Sequence, residues 1–143
     1  LKSNLGHTFG HAFEYESNHK VAHGDAISAG IKLALKKSFE NNLLSKQEYL
    51  KTCKLMKRLN LNIKIDKKSD LNKVVDFMKK DKKSDGINIG LILLKRIGDL
   101  KINSSMSYFF ISQEDMKKFL TESVMSENLL SNNQWSNLLK NKI

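Results

Sequence analysis

Apolar and polar residues alternate along the chain with the period of helices, in segments separated by short polar turns. At about 100° per residue, Leu5, Phe9, Ala12 and Phe13 fall on one side of a helix over residues 4–17. From Ala26 to about Asn41 a second helix is predicted, with Ile27, Ile31, Ala34 and Leu35 on one face. Ser45-Lys46-Gln47-Glu48 has the form of a capping box and opens a third helix to about Leu59. Its inner face would carry Tyr49, Cys53 and Met56. Ser69 predicts the cap of a fourth helix through Lys80, with Leu71, Val74, Val75 and Met78 inward.

The period then changes. Ile87 to Leu93 alternates and becomes continuously apolar, as a short strand does. Gly98-Asp99 predicts a turn, and Leu100 to Ile102 would pair back. Ser112-Gln113-Glu114-Asp115 caps a further helix, with Ile111 and Met116 placed as a hydrophobic staple. Leu129, Leu130, Trp135, Leu138 and Leu139 suggest a last helix, so that 126–143 reads as a carboxy-terminal helical extension of a 1–125 domain. The fold class expected is mainly α: a helical, bundle-like domain with one small β-hairpin.

Composition narrows this picture in three ways. With 143 residues, 40% hydrophobic and 28% charged, the chain suits one globular domain rather than a disordered segment. A single cysteine, Cys53, excludes an internal disulfide framework and suits a reducing compartment, so a cytoplasmic location is expected. No apolar run approaches the roughly 20 residues that cross a bilayer. The opening LKSNLGHTFG lacks the basic and apolar regions of a secretory leader. It begins without Met, inside a helical pattern, which suggests a piece of something longer.

The charge is +10, and only two of the 25 basic residues, Arg58 and Arg96, are arginine. The lysines are spread along the chain among asparagines, in the manner of a whole-sequence compositional drift. A nucleic-acid binder clusters its positive charge and uses arginine for bidentate contacts. Scattered lysine reads instead as a solvated basic surface, with neither a nucleic acid nor a membrane as partner.

Chemistry concentrates at the start. All four histidines, His7, His11, His19 and His23, lie in the first 23 residues. On a helix Asn4, His7, His11 and Glu14 share an arc of about 80° at about 100° per residue. Gly6 and Gly10 lie between this polar stripe and the apolar face. Each costs roughly 1 kcal/mol against alanine, which suggests close approach by a backbone or a ligand. Histidines at i and i+4 can bind a metal, although the same spacing also suits surface or hydrogen-bonded core histidines. In His23-Gly24-Asp25 a glycine permits an unusual backbone angle before a helix. A turn there would bring His23 back, so that His7 and His23 can act as ligands across a helix–loop–helix while His11 is left for other work. His19, in the polar loop ESNHK, reads as surface.

The run Asn4-Leu5-Gly6-His7-Thr8-Phe9-Gly10-His11-Ala12-Phe13-Glu14, followed by His23-Gly24-Asp25-Ala26, closely resembles the carboxy-terminal domain of 3-dehydroquinate synthase, of the sugar phosphate cyclase family. A second segment, Met78-Lys79-Lys80-Asp81-Lys82-Lys83 with Gly86, the apolar run and Ile97-Gly98, resembles a second pattern of that family. Ser3 stands where the family has leucine, and Asp25 where it has glutamate. An arginine of the family pattern falls just before Leu1.

The resemblance implies conversion of DAHP, a linear keto-acid phosphate, into 3-dehydroquinate plus phosphate, a lyase reaction of the shikimate pathway and of aromatic amino acid biosynthesis. It implies NAD and a divalent metal, Zn2+ or Co2+, and a homodimeric cytoplasmic enzyme. By motif position His7 and His23 resemble metal ligands, and His11 the group that handles the proton of the oxidised hydroxyl. Asn4, Lys82 and Lys83 resemble substrate contacts, Lys82 being preferred. Glu14 reads either as a partner for a histidine ring N–H beside the metal or as a surface carboxylate. The family's glutamate ligand and its NAD-binding domain would lie in an amino-terminal part absent from this chain, so the chain alone is expected to be catalytically incomplete. A related cyclase, such as a 2-deoxy-scyllo-inosose synthase, and a non-catalytic basic helical binding module are the competing readings.

Overall fold

The computed structural model describes residues 5–61, 65–95 and 106–129, the last four as backbone only. In these residues the order is α1 (His7–Glu16), α2 (His23–Glu40), α3 (Lys46–Arg58), α4 (Leu71–Lys79), β1 (Asn88–Leu94), β2 (Met106–Ser112) and α5 (Gln113–Leu129). Helices thus dominate and the two strands form one antiparallel pair, as the expected fold class has it.

The helices α1 and α2 pack antiparallel with their backbones touching. Gly6 adopts φ 77° at the amino-terminal cap of α1, a left-handed angle open to glycine. A Cβ on Gly30 would meet Gly6 O and come within 2.8 Å of Gly10 N, and one on Gly10 would lie 2.7 Å from Ile27 Cδ1. The glycines expected to admit a neighbour therefore admit α2. The turn between them closes with Asn18 and His19 both at positive φ, and His19 N–H donates to Glu14 O.

The helix α2 starts three residues earlier than its apolar pattern predicts. Ala22 is its cap, and His23-Gly24-Asp25 forms its first turn rather than an approach to it. Asp25 there opposes the partial positive charge of the helix amino terminus. The Ser45 capping box of α3 forms as expected, with both reciprocal hydrogen bonds. Its buried residues are Leu50 and Met56, whereas Tyr49 and Cys53 are half-buried. Tyr49 stacks flat on Phe39 with ring centroids 4.8 Å apart. Burial pushes the Cys53 thiol above its usual pKa, against a hydrogen bond with Tyr49 and the charge of Lys32.

The cap of α4 is Asp70, not Ser69; its carboxylate accepts from Lys73 N–H. Asp70 N–H in turn donates to Glu16 Oε1, 2.9 Å away. The start of α4 is thereby fastened to the end of α1. Tyr15 of α1 stacks on Phe77, and Lys73 lies over the Tyr15 ring. Val74, Val75 and Met78 enter the core as predicted.

The partner of β1 is Met106–Ser112, a strand that the periodicity did not single out. The predicted turn at Gly98-Asp99 and the pairing of Leu100 to Ile102 lie outside the described residues. So do Leu130, Trp135, Leu138 and Leu139; Leu129 belongs to α5, which runs across the expected boundary at 125. Ser112 Oγ accepts from Asp115 N–H at the start of α5, and Ile111 and Met116 are both buried. The main core joins Phe9, Phe13, Leu33, Val74, Met78, Ile89, Leu91, Leu93, Met116, Phe119 and Leu120. At its edge the buried Ser38 Oγ donates to Ala34 O and accepts from Leu94 N–H, tying α2 to the end of β1.

Gly30→Ala should lower stability by about 1–3 kcal/mol in urea unfolding, because neither backbone can move aside. Gly24→Ala is the control, with nothing within 4 Å of the added carbon; it should stay within about 0.5 kcal/mol.

Candidate functional site

The antiparallel contact sets the placement of three imidazoles. As Gly6 faces Gly30 and Gly10 faces Ala26, continuing the register brings Glu14 beside His23. His7 and His11, one turn apart on α1, have ring centroids 5.4 Å apart, edge to face. The His23 ring, from the first turn of α2, lies 6.3 Å from that of His11 at an interplanar angle of 27°. His11 is thus the ring in contact with both of the others, in a row His7–His11–His23.

The three rings have different surroundings. His7 is half-buried, and its Nδ1 is buried without a hydrogen-bond partner among the described residues. An unpaired buried ring nitrogen costs about 1–3 kcal/mol unless something outside the chain satisfies it. His11 is exposed. His23 Nδ1 lies 2.9 Å from Glu14 Oε1. A carboxylate only accepts, so His23 carries a proton on Nδ1, and in the neutral ring the lone pair is on Nε2. His19, although exposed, also reaches Glu14, with Nδ1 3.9 Å from Oε2. Glu14 itself is mostly covered, its side chain 13% exposed, and it holds the start of α2 and the turn together.

These residues suit part of a metal site. The unpartnered His7 Nδ1 and the Nε2 of His23 are the donor chemistry that zinc or cobalt takes. Among the described residues there is no group of three or more histidine, cysteine, aspartate or glutamate side chains arranged to hold a metal. His11 and His23 are open to solvent, and a cavity of about 610 Å³ is lined by other residues, among them Phe13, Glu16, Asp25, Ala29, Ile65 and Lys68. The glycines do not suit a dinucleotide. Gly6, Gly10 and Gly30 use their missing side chains on helix contact, with no space left for a pyrophosphate.

Asn4 lies outside the described residues. Lys82 and Lys83 lie in the loop after α4. Lys82 is exposed. Lys83 Nζ lies 3.1 Å from Asp81 Oδ1, and the same oxygen accepts Lys83 N–H. The sequence reading did not include His19 beside Glu14, nor Gly30. Gly30 was accessible in principle: Gly6 and Gly10 four apart call for small residues four apart opposite them, and Ala26 and Gly30 are such a pair.

The family model described as 3-dehydroquinate synthase C-terminal matches residues 3–84, more than half of the chain. The chain belongs to that family. A 3-dehydroquinate synthase of Shewanella frigidimarina is 38% identical over 111 residues, covering 77% of this chain and 31% of the relative. Another, of Pelagibacter ubique, is 38% identical over 120 residues, covering 78% and 33%. The chain thus spans about a third of the length of the curated relatives it matches. Among solved structures, 2-deoxy-scyllo-inosose synthase complexed with carbaglucose-6-phosphate, NAD+ and Co2+ superposes with a TM-score of 0.68. The identity is 26%, over 84% of this chain and 34% of that one. No helix among the described residues is long and apolar enough to cross a membrane.

The Glu14 contact predicts the proton's position on His23. In the metal-free protein at about pH 8, ring ¹⁵N shifts should report the Nδ1–H tautomer for His23. Glu14→Gln should shift it toward the Nε2–H form. A wild-type His23 already in the Nε2–H form would contradict the assignment.

Proposed function

We propose that this member of the family is the metal- and substrate-binding part of a 3-dehydroquinate synthase, converting DAHP to 3-dehydroquinate and phosphate within a longer cytoplasmic, homodimeric enzyme that also uses NAD. The observation that carries this reading is the row His7–His11–His23 with Glu14 behind it. Its open surface and the two-imidazole donor set suit a site completed by a facing amino-terminal domain.

In this reading His7 and His23 hold the divalent metal, Zn2+ or Co2+. The metal would supply Lewis-acid polarisation to substrate oxygens. Glu14 fixes the His23 ring through the Nδ1–H hydrogen bond. His11, in ring contact with both and exposed, accepts and returns the proton of a substrate hydroxyl. Lys82 meets a substrate anion as a point charge, with Lys83 beside it, and Asn4 contacts a substrate hydroxyl. No residue of this chain is assigned to the nicotinamide.

A second reading, a cyclase of the 2-deoxy-scyllo-inosose synthase type, is favoured by the structural likeness to that enzyme. Turnover of DAHP by the complete protein, set against glucose 6-phosphate and sedoheptulose 7-phosphate, separates the two. Under the first reading only DAHP is consumed, with release of phosphate.

His7→Ala in the complete enzyme should abolish tight metal binding and lower kcat/KM by at least about a thousandfold, while helical content by circular dichroism is kept. Full metal content and rate in that variant would remove His7 from the ligand set.

A further inference from the structure

The lysine loop is strapped onto the outer face of the two-stranded sheet by a residue beyond the 3–84 stretch that the family model matches. Tyr108 of β2 donates its hydroxyl hydrogen bond to Lys83 O. Gly90 of β1 lies directly beneath: a Cβ there would meet Lys83 O and come within 2.6 Å of the Tyr108 hydroxyl. Ser84 Oγ, the next position, donates to Met78 O at 2.9 Å and accepts Gly90 N–H at 3.1 Å. Asp81 holds the other side by accepting both the backbone and side-chain N–H groups of Lys83. Between these fastenings Lys82 alone of the pair projects outward.

We propose that Tyr108 is a positioning residue for substrate binding: by holding the Lys83 carbonyl against Gly90 it fixes the loop that presents Lys82 to a substrate anion. This rests on the reading of Lys82 as an anion contact. The hydroxyl is suited to the task because it stays a donor. Partial burial, then the Asp81 and Asp85 carboxylates, raise its pKa above the usual tyrosine value. Asp85 is itself fixed, accepting from Asn88 N–H and Ile87 N–H, and these bonds lower its pKa. Cross-strand pairing sets Tyr108 opposite Ile92 and Phe110 opposite Gly90, so the phenol reaches diagonally over the glycine. A larger residue at position 90 would close that path.

The test compares Tyr108→Phe, Ser84→Ala and Lys82→Ala in the complete enzyme, by steady-state kinetics with DAHP. Tyr108→Phe should raise KM about three- to tenfold with kcat within about twofold, the scale of one neutral hydrogen bond. Metal content and melting temperature should be unchanged. Ser84→Ala should raise KM in the same direction. Amide hydrogen exchange over residues 82–85 should quicken in both. In the Lys82→Ala background, Tyr108→Phe should have no further effect on KM. An unchanged KM in Tyr108→Phe, while Lys82→Ala raises it, would overturn the positioning role and leave the lysine assignment intact. An unchanged KM in Lys82→Ala would overturn the anion contact itself, and the positioning role with it.

Discussion

The structure depends on the direct contact between the backbones of α1 and α2. At Gly6 and Gly30 the helices meet main chain on main chain, and at Gly10 the Ala26 carbonyl and the Ile27 side chain close the contact, so the spacing is set largely by main-chain atoms. Main-chain contact cannot adjust by a rotamer change, as Leu-on-Leu packing can. That rigidity matters beyond stability. His7 and His11 belong to one helix and His23 to the other, so the separation of the rings is as well defined as the helix contact. Glycine in a helix is unfavourable by about 1 kcal/mol at each position. The close packing around Phe9, Ala12 and Leu33, all but fully buried, offsets that cost.

Much of this was legible in the chain, and the reasons differ by element. The amphipathic helices and the Ser45 box follow from local rules: a period of 3.6 and a hydroxyl three residues before a glutamate. The start of α2 did not follow, because His23-Gly24-Asp25 has no apolar periodicity and its cap, Ala22, has no polar side chain to accept a hydrogen bond there. The fourth cap went to Asp70 rather than Ser69 because Glu16, distant in sequence, takes the Asp70 N–H and places the helix start there. β2 escaped notice for a related reason. Its exposed face carries Tyr108 and Phe110, so inward and outward positions are both aromatic and the period of two is blurred.

The candidate site shows the same division. The histidine column on α1 is a matter of spacing and could be read directly. What each nitrogen does could not, since it depends on partners brought by the fold. Glu14 takes the proton side of His23, while His7 Nδ1 is left buried and unmet among the described residues. The lysine pair divides likewise. Adjacent and chemically identical in the sequence, Lys83 is held by Asp81 and Tyr108 and Lys82 is turned out.

The four small positions also divide the chain into parts with unequal freedom to vary. Lys46, Lys51 and Lys54 of the basic surface are exposed. At Gly6 and Gly30 even a methyl group meets peptide atoms of the opposite helix. Substitution at those two positions therefore displaces one helix against the other and, with it, the spacing of the histidines they carry.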